Sequence, residues 1–169
     1  MITNAARILE SLGISYTLQE YEADPEDLSA AAVARKIGLP LEQVFKTLLT
    51  TTGPDQYVFA VIPGGAELDF KKLGRAAGAR KAEMVGLKDV QPLTGYIRGG
   101  VTVFGAKKDF PAFADETIEL FDLISVSAGQ RGTQILLAPQ DYLRAAKAAV
   151  AALTKDQAHL CPELEVRTI

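Results

Sequence analysis

Apolar and polar positions alternate with two different periods along the chain, which predicts a mixture of helices and strands. Apolar residues that recur every three or four positions are typical of a helix with one buried face. This period predicts helices over residues 3–12, 30–37, 70–77, 87–91 and 139–153. Ser29 and Asp69 stand where two of these helices would be capped, and Pro139 suits the first turn of the last one. The Ala-rich run 145–152 extends that last helix, because alanine has the highest helix propensity.

Short apolar or alternating runs between turn residues predict strands. These runs cover residues 14–21, 44–51, 56–62, 82–85, 123–128 and 133–137. Gly53-Pro54-Asp55 separates two of the runs, so we expect 44–51 and 56–62 to form a hairpin. The glycine-rich stretch 95–105 is expected to be a loop that leads into a strand. Because helices and strands intermix without regular βαβ alternation, the pattern predicts a mixed α/β or α+β fold.

Composition limits the class of protein. The 169 residues, 48% of them hydrophobic, suffice for one domain with a buried core. A net charge of -3 argues against a broadly cationic nucleic-acid binder and leaves room for a local basic patch. The first residues lack the features of a signal peptide, and no apolar run reaches the roughly 18 residues that span a bilayer. We therefore expect a cytoplasmic protein.

Cysteine and histidine occur once each, as Cys161 and His159 near the C-terminus. One cysteine excludes a disulfide within the chain, and the two residues are too few for a Cys/His zinc site, which needs three or four ligands. We therefore expect neither a metal nor a cofactor. Both residues are interpreted as incidental members of a tail over 154–169, which follows a domain over 1–153.

Lys46 and a glycine cluster are the first candidates for chemistry. Lys46 lies among apolar residues of the strand 44–51, so its cation is either held at the sheet margin or placed in a cleft to bind an anionic or carbonyl oxygen. The cluster 95–100 lacks the spacing of a dinucleotide fingerprint and the Lys-Ser/Thr of a P-loop. It is either a tight bend or a loop that offers backbone N–H groups to a ligand.

Basic residues in three segments form a second set of candidates. They constitute either a patch that binds phosphates or ordinary solvated surface. These residues are Lys71, Lys72, Lys107, Lys108 and Arg131. The last of them lies in the segment 127–132, which also fits a simple hairpin loop.

Seven segments follow one another in an order and spacing typical of a known family. They are ISYTLQEYEADP (14–25), QVFKTLL (43–49), ELDFKK (67–72), GARKAEM (78–84), TGYIRGG (94–100), GAKK (105–108) and SAGQRG (127–132). Together they resemble the YbaK/EbsC family of aminoacyl-tRNA deacylases, which is related to the editing domain of bacterial prolyl-tRNA synthetases. The resemblance implies a single compact domain with a curved mixed sheet surrounded by helices. It also implies trans-editing, the hydrolysis of the ester that joins a wrong amino acid to tRNA.

The resemblance also implies roles for individual residues. Lys46 matches the key lysine of the family, and Tyr21 matches a pocket tyrosine. Gly99 matches the pocket glycine whose backbone contacts the substrate. Backbone N–H groups at Gly99 and Gly100 would then stabilise the oxyanion that develops at the ester carbonyl.

Three departures from the family lie in the pocket for the amino-acid side chain. Leu28-Ser29 stands where the family has an aromatic residue. Thr102-Val103 replaces the usual Ser-Pro, and Gln134 replaces an aspartate. These positions bear on which amino acid is removed, and they leave the roles of Lys46 and Gly99 in place.

The resemblance implies cysteine on tRNA(Pro) as the substrate, with the substrate thiol attacking its own carbonyl to leave as a thiolactone. Cysteine and proline are similar in size, and a pocket separates such residues by only about 1–3 kcal/mol, so a second sieve is needed. Three alternatives remain: removal of another amino acid such as alanine by water, a non-catalytic module that binds tRNA or prolyl-tRNA synthetase, and hydrolysis of a small free ester or nucleotide. The net charge of -3 implies weak binding of free tRNA, which favours delivery by the synthetase.

Overall fold

The computed structural model describes residues 3–156, which form an α+β fold as the sequence predicts. The helices are α1 (Asn4–Ser11), α2 (Ala30–Ile37), α3 (Phe70–Ala76), α4 (Leu87–Thr94) and α5 (Pro139–Ala146). The strands are β1 (Thr17–Glu20), β2 (Phe45–Gly53), β3 (Gln56–Pro63), β4 (Glu83–Met84), β5 (Ala112–Asp115), β6 (Ile124–Ser127), β7 (Thr133–Leu137) and β8 (Ala149–Ala151). Two short 3-10 helices cover Leu41–Gln43 and Glu116–Leu120.

The strands form two sheets that meet along β2 and β6. The larger sheet has the order β4-β2-β3-β5-β8, with an antiparallel β2–β3 hairpin and parallel pairing of β5 to β3 and of β8 to β5. The smaller sheet has the antiparallel order β1-β7-β6. A parallel bridge between Val44 and Ser125 joins them. The expected mixed sheet is therefore present, divided into two parts at this bridge.

The predicted helix caps are confirmed. The Ser29 side chain accepts a hydrogen bond from the Ala32 N–H at 3.2 Å, and α2 ends at Gly38 with a φ of 75°. Asp69 accepts from the N–H groups of Lys71 and Lys72 and so starts α3. Side-chain oxygens at these positions satisfy N–H groups that a helix leaves without partners in its first turn.

The prediction of one long helix over 139–153 is wrong. The helix ends at Ala146, and Lys147 takes a left-handed conformation with a φ of 52°. The chain then forms β8, whose Ala149 pairs with Phe113 of β5. Buried Asp115 accepts a hydrogen bond from the Leu153 N–H at 2.9 Å. Sheet pairing and this buried bond outweigh the modest helix preference of alanine, which amounts to less than about 1 kcal/mol per residue.

The core lies on both faces of the larger sheet. Alternate residues of β3 enter different clusters: Val61 packs with residues of α1, α5 and the smaller sheet, and Ile62 packs under α3. The same alternation places neighbouring residues of β2 on opposite faces. Among residues 3–156, none of the helices has the length and apolar character needed to cross a membrane.

The predicted boundary between the domain and its tail falls within paired structure. Thr154 forms a bridge with Leu68, and the Lys155 N–H donates to the Glu67 carbonyl at 2.9 Å. The chain therefore stays attached to the domain through Lys155, two residues beyond the predicted end at 153. The remaining tail residues, with His159 and Cys161, lie outside the described residues.

Candidate functional site

A cavity of about 520 Å³ lies beside β2. Residues 45–49 of that strand and the preceding Val44 form one wall, and the start of α2 forms another. The remaining walls come from β4, α4, the loop 98–101 and the smaller sheet. Its lining residues are Leu28, Ser29, Ala30, Val33, Val44, Phe45, Lys46, Thr47, Leu48, Leu49, Gly64, Met84, Val85, Leu87, Val90, Arg98, Gly99, Val101, Ser127 and Gln134.

Lys46 brings a half-buried cation to this cavity. Its Nζ donates a hydrogen bond to the Gly64 carbonyl oxygen at 3.1 Å. Glu67 instead pairs with Lys155 at 3.1 Å, and Lys46 has no ion-pair partner within residues 3–156. Burial lowers the pKa of the Lys46 ammonium from its usual value of 10.5, and the Glu67 carboxylate opposes this only in part. The structure thus supports a cleft lysine and not one held at the sheet margin.

Gly64 is a site residue that the sequence analysis missed. It follows β3 directly and faces Val44, to whose carbonyl its N–H donates at 2.7 Å. A Cβ on Gly64 would overlap the Ala30 Cβ and lie 2.9 Å from the Val44 carbonyl oxygen. Only glycine allows this close approach of α2 and β2. The sequence does contain a signal for this position. The turn sequence Pro63-Gly64-Gly65 ends the second strand of the predicted hairpin, and the hairpin register places it opposite the residues just before Lys46.

Gly99 lines the cavity, whereas Gly100 is turned away from it. Gly99 has a φ of +88°, and a Cβ there would lie within 3.4–3.5 Å of Arg131 and Leu28. The Gly100 N–H donates to the Ile97 carbonyl at 2.8 Å and closes a turn. The expectation that Gly100 supplies an oxyanion donor is therefore corrected: its N–H is already engaged, and Gly99 is the one glycine of this pair on the cavity wall.

The predicted pocket residues divide into three groups. Leu28, Ser29 and Gln134 line the cavity. Tyr21 lies in a small adjoining crevice, where Leu28 and Gly99 separate it from the main cavity. Thr102 is only 1% exposed and does not reach the wall. Its assignment to the substrate pocket is corrected, because the loop folds its side chain against the backbone near Gly129.

The smaller sheet supplies a polar end to the cavity. Gln134 is 5% exposed, and its Oε1 accepts a hydrogen bond from the Ser125 hydroxyl at 2.8 Å. Ser127 faces Gln134 in the β6–β7 register and also lines the cavity. The sequence predicts Ser127 at the end of the strand 123–128 and the start of a hairpin loop, but does not mark it as a site residue. The strand pairing that brings it beside Gln134 was the missing information.

The basic residues predicted to bind tRNA lie in three separate segments. Lys72 of α3 donates to the Thr154 carbonyl at 2.7 Å, while neighbouring Lys71 is exposed. Lys107 and Lys108 are exposed in the loop before β5. Arg131 adjoins the cavity: its Nε donates to the Arg98 carbonyl at 2.8 Å, and Arg98 itself lines the wall. Arg98, which the sequence analysis did not select, is thus a second cationic residue at the cavity.

Comparisons with known proteins agree in fold and family. The model of the aminoacyl-tRNA editing domain matches residues 24–145. A protein of Enterococcus faecalis, provisionally named Cys-tRNA(Pro)/Cys-tRNA(Cys) deacylase EbsC, is 43% identical over 90% of this chain and 93% of its own. The multifunctional Ser/Thr-tRNA deacylase ProXp-y of Escherichia coli is 29% identical over 69% of this chain and 72% of its own.

A solved structure supports the same fold. It is described provisionally as a trans-editing enzyme for prolyl-tRNA synthetase, and its TM-score to this chain is 0.79. The likeness covers 92% of this chain and 100% of the other, with 24% sequence identity. At that identity it bears on the arrangement of helices and strands alone.

Proposed function

The chain belongs to the aminoacyl-tRNA editing domain family, and we propose that it cleaves the ester between tRNA(Pro) and a mischarged amino acid, cysteine above all. The observation that carries this proposal is the half-buried Lys46, which has no ion-pair partner in the described chain and lies in the wall of a cavity of about 520 Å³. A cavity between about 300 and 1,000 Å³ is the usual size for a small-molecule site. It can enclose the aminoacyl end of a tRNA while the rest remains outside.

Lys46 and Gly99 are proposed to act on the ester. The Lys46 ammonium would bind an oxygen of the terminal aminoacyl-adenosine and favour the negative charge that develops there. Of the two adjacent glycines, Gly99 is the remaining candidate for the same charge, because its N–H has no backbone acceptor among residues 3–156. A cation in a partly dehydrated cleft acts more strongly on a substrate oxygen than an exposed lysine does, because water screens it less.

For cysteine, the substrate supplies its own nucleophile. The thiol sulfur attacks the ester carbonyl carbon, a C–S bond forms, and the C–O bond to the ribose breaks. The ribose oxygen takes up the proton that the thiol gives up, and the amino acid leaves as a thiolactone. The protein needs only to hold thiol and carbonyl close together, which can replace a strong base. An amino acid without a thiol would require a bound water as the nucleophile.

The cavity wall combines apolar and small polar groups around the expected position of the amino-acid side chain. Leu28 and Val33 offer apolar contact, and Ser127 and Gln134 offer hydrogen bonds. A small side chain with a weakly polar end, such as that of cysteine, fits this combination. The relative from E. coli named for serine and threonine supports testing hydroxyl side chains beside it.

A panel of charged tRNAs tests the proposed substrate. Purified tRNA(Pro) would be charged with cysteine, S-methylcysteine, alanine, serine or threonine, and loss of the ester followed with catalytic amounts of protein. We expect rapid loss of cysteine and little loss of S-methylcysteine, whose sulfur cannot give up a proton. Equal loss of both would contradict thiol assistance. Loss of alanine, serine or threonine instead of cysteine would keep the deacylase and reassign its amino acid.

Delivery by prolyl-tRNA synthetase is part of the proposal. Arg98 and Arg131 beside the cavity would contact phosphates near the tRNA end, but a net charge of -3 limits how many phosphates the protein neutralises. The same panel, run with and without the synthetase, would then give faster deacylation with it. Identical rates would remove the synthetase from the proposal.

The lowered pKa of Lys46 predicts a pH dependence. Its cation is present below the pKa and is lost as the pH rises through it, and that pKa lies below the usual 10.5. The rate, divided by the spontaneous rate of ester loss, should therefore decrease as the pH rises toward 10, at a lower pH than an ordinary lysine would lose its charge. In Lys46→Arg the decrease should be absent, because a guanidinium stays protonated throughout that range. Parallel profiles for the two proteins would contradict a role for the lysine charge.

A further inference from the structure

The outer edge of β2 presents backbone groups to the cavity. On one side β2 pairs with β3 along its length, from Phe45 to Gly53. On the other side β4 pairs with it only at Thr50 and Thr51, and β6 meets the chain only through the bridge between Ser125 and Val44, just before the strand. Between these two contacts, residues 45–49 line the cavity. A strand edge offers a row of N–H and C=O groups ready to pair with another chain or a ligand.

Two hydrogen bonds establish which residues point to which side. The Gly64 N–H donates to the Val44 carbonyl at 2.7 Å, so the backbone carbonyl of Val44 points toward the β3 side. The Val85 N–H donates to the Leu49 carbonyl at 3.2 Å, so the backbone carbonyl of Leu49 points toward the β4 side. Backbone groups alternate between the two edges of a strand. Thr47 therefore directs its N–H and C=O in the same direction as Leu49.

The chain supplies no strand partner for Thr47 within residues 3–156. Continuing the β2–β4 register from Thr50–Met84 would place Leu87 opposite Thr47. Leu87 is instead the first residue of α4, so the chain has already left the sheet at that point. Both Leu87 and Thr47 line the cavity. An N–H donor and a C=O acceptor of one residue thus face the cavity together, where a ligand could satisfy them.

We propose that the Thr47 backbone binds the aminoacyl group as a strand residue would, an inference that rests on the proposed function. The Thr47 N–H donates to the ester carbonyl oxygen, and the Thr47 C=O accepts from the α-ammonium group. An aminoacyl ester carries the α-ammonium donor on Cα and the carbonyl acceptor on the neighbouring carbon. This arrangement is like that of the N–H and C=O of a residue in a directly paired antiparallel strand. These groups are common to every α-amino acid with a primary amine. The edge therefore positions the ester, and the side-chain walls select the amino acid.

The first arm of the test removes the Thr47 N–H. Thr47→Pro deletes a donor that points into the cavity, and proline is tolerated at a strand edge where no ladder bond is lost. We expect a folded protein whose kcat/KM for cysteinyl-tRNA(Pro) is lower by about tenfold or more, the order expected for one lost hydrogen bond. Leu48→Pro is the matched control for orientation. Its N–H points to β3, so this change should lower Tm much more than Thr47→Pro does.

The second arm changes the substrate and needs no variant. 3-Mercaptopropionyl-tRNA(Pro) lacks only the α-amino group of cysteinyl-tRNA(Pro). The wild-type rate, divided by the spontaneous rate for each ester, should be lower by about tenfold or more for this analogue. If the charged-tRNA panel identifies alanine, propionyl-tRNA takes its place. If Thr47→Pro fails to fold, this arm still tests the role of the Thr47 carbonyl.

The outcomes separate the two proposals. Equal normalised wild-type rates for the two esters would overturn the role of the Thr47 carbonyl. A folded Thr47→Pro protein with wild-type kcat/KM would overturn the role of its N–H. In both cases wild-type deacylation persists and the proposed function stands. No wild-type deacylation of any charged tRNA would overturn the proposed function and this inference with it.

Discussion

Replacement of Lys46 by alanine is expected to slow deacylation of the accepted aminoacyl-tRNA by about 10²–10³-fold, the usual cost of removing one preorganised group that stabilises developing charge. The fold should be retained. Lys46 is half-buried without an ion-pair partner in residues 3–156, so its removal relieves a desolvation cost and leaves only the Gly64 carbonyl without its hydrogen bond. Binding of uncharged tRNA should change little, because most phosphate contacts would lie outside the cavity. Rates and tRNA affinity would be measured at one salt concentration.

Lys81→Ala is the matched control for this change. It removes the same charge from an exposed lysine that pairs with Glu83 at 3.2 Å and does not line the cavity. Its deacylation rate should remain close to that of the wild type. If Lys46→Ala and Lys81→Ala have the same rate, the cavity lysine has no special role. A large loss of tRNA affinity in Lys46→Ala would instead assign the lysine to tRNA binding.

Gly64→Ala is expected to destabilise the protein and to slow deacylation together. The added methyl group would overlap the Ala30 Cβ at the start of α2 and crowd the Val44 carbonyl just before β2, and these two segments cannot both move freely. Overpacking of this kind costs about 1–3 kcal/mol of unfolding free energy. Since the Gly64 carbonyl accepts from Lys46, any displacement also moves the cation. Urea denaturation and the deacylation rate would measure the two effects.

Gly65→Ala separates this effect from a general intolerance of alanine in the turn. A Cβ on Gly65 would approach only the side chain of Leu41, whose Cδ2 lies 2.8 Å away and can rotate aside. We therefore expect a smaller loss of stability and nearly normal activity. Equal losses for Gly64→Ala and Gly65→Ala would show that the contact between α2 and β2 is not what requires glycine.

Local signals in the sequence were sufficient for most elements of the fold. Ser29 and Asp69 begin helices through side-chain hydrogen bonds that involve residues two or three positions away, so the information is local. The β2–β3 hairpin follows from a turn between two apolar runs. Lys46 was identifiable because a charged residue interrupts an apolar strand. The prediction of a helix over 139–153 was wrong because β8 depends on pairing with β5, which lies more than thirty residues away in the sequence.

The rest of the site depends on contacts that no local pattern encodes. Gly64 matters because α2 packs against the end of β3, and Ser127 matters because β6 pairs beside Gln134. Gly99 and Gly100 are adjacent and identical in residue type, yet the N–H of Gly100 alone is engaged in a turn, by a hydrogen bond to the Ile97 carbonyl. The unpaired edge at Thr47 arises because β4 has only two residues. Each of these features requires the three-dimensional register of the strands.

The most direct test of the proposed function is a time course of cysteinyl-tRNA(Pro) deacylation with the protein at one-hundredth of the substrate concentration. We expect many turnovers per protein molecule, at a rate well above spontaneous ester loss, and near-background rates in Lys46→Ala. Binding of the charged tRNA without any turnover, by wild type and variant alike, would contradict the proposed function and identify the chain as a binding module that retains the cavity without its chemistry.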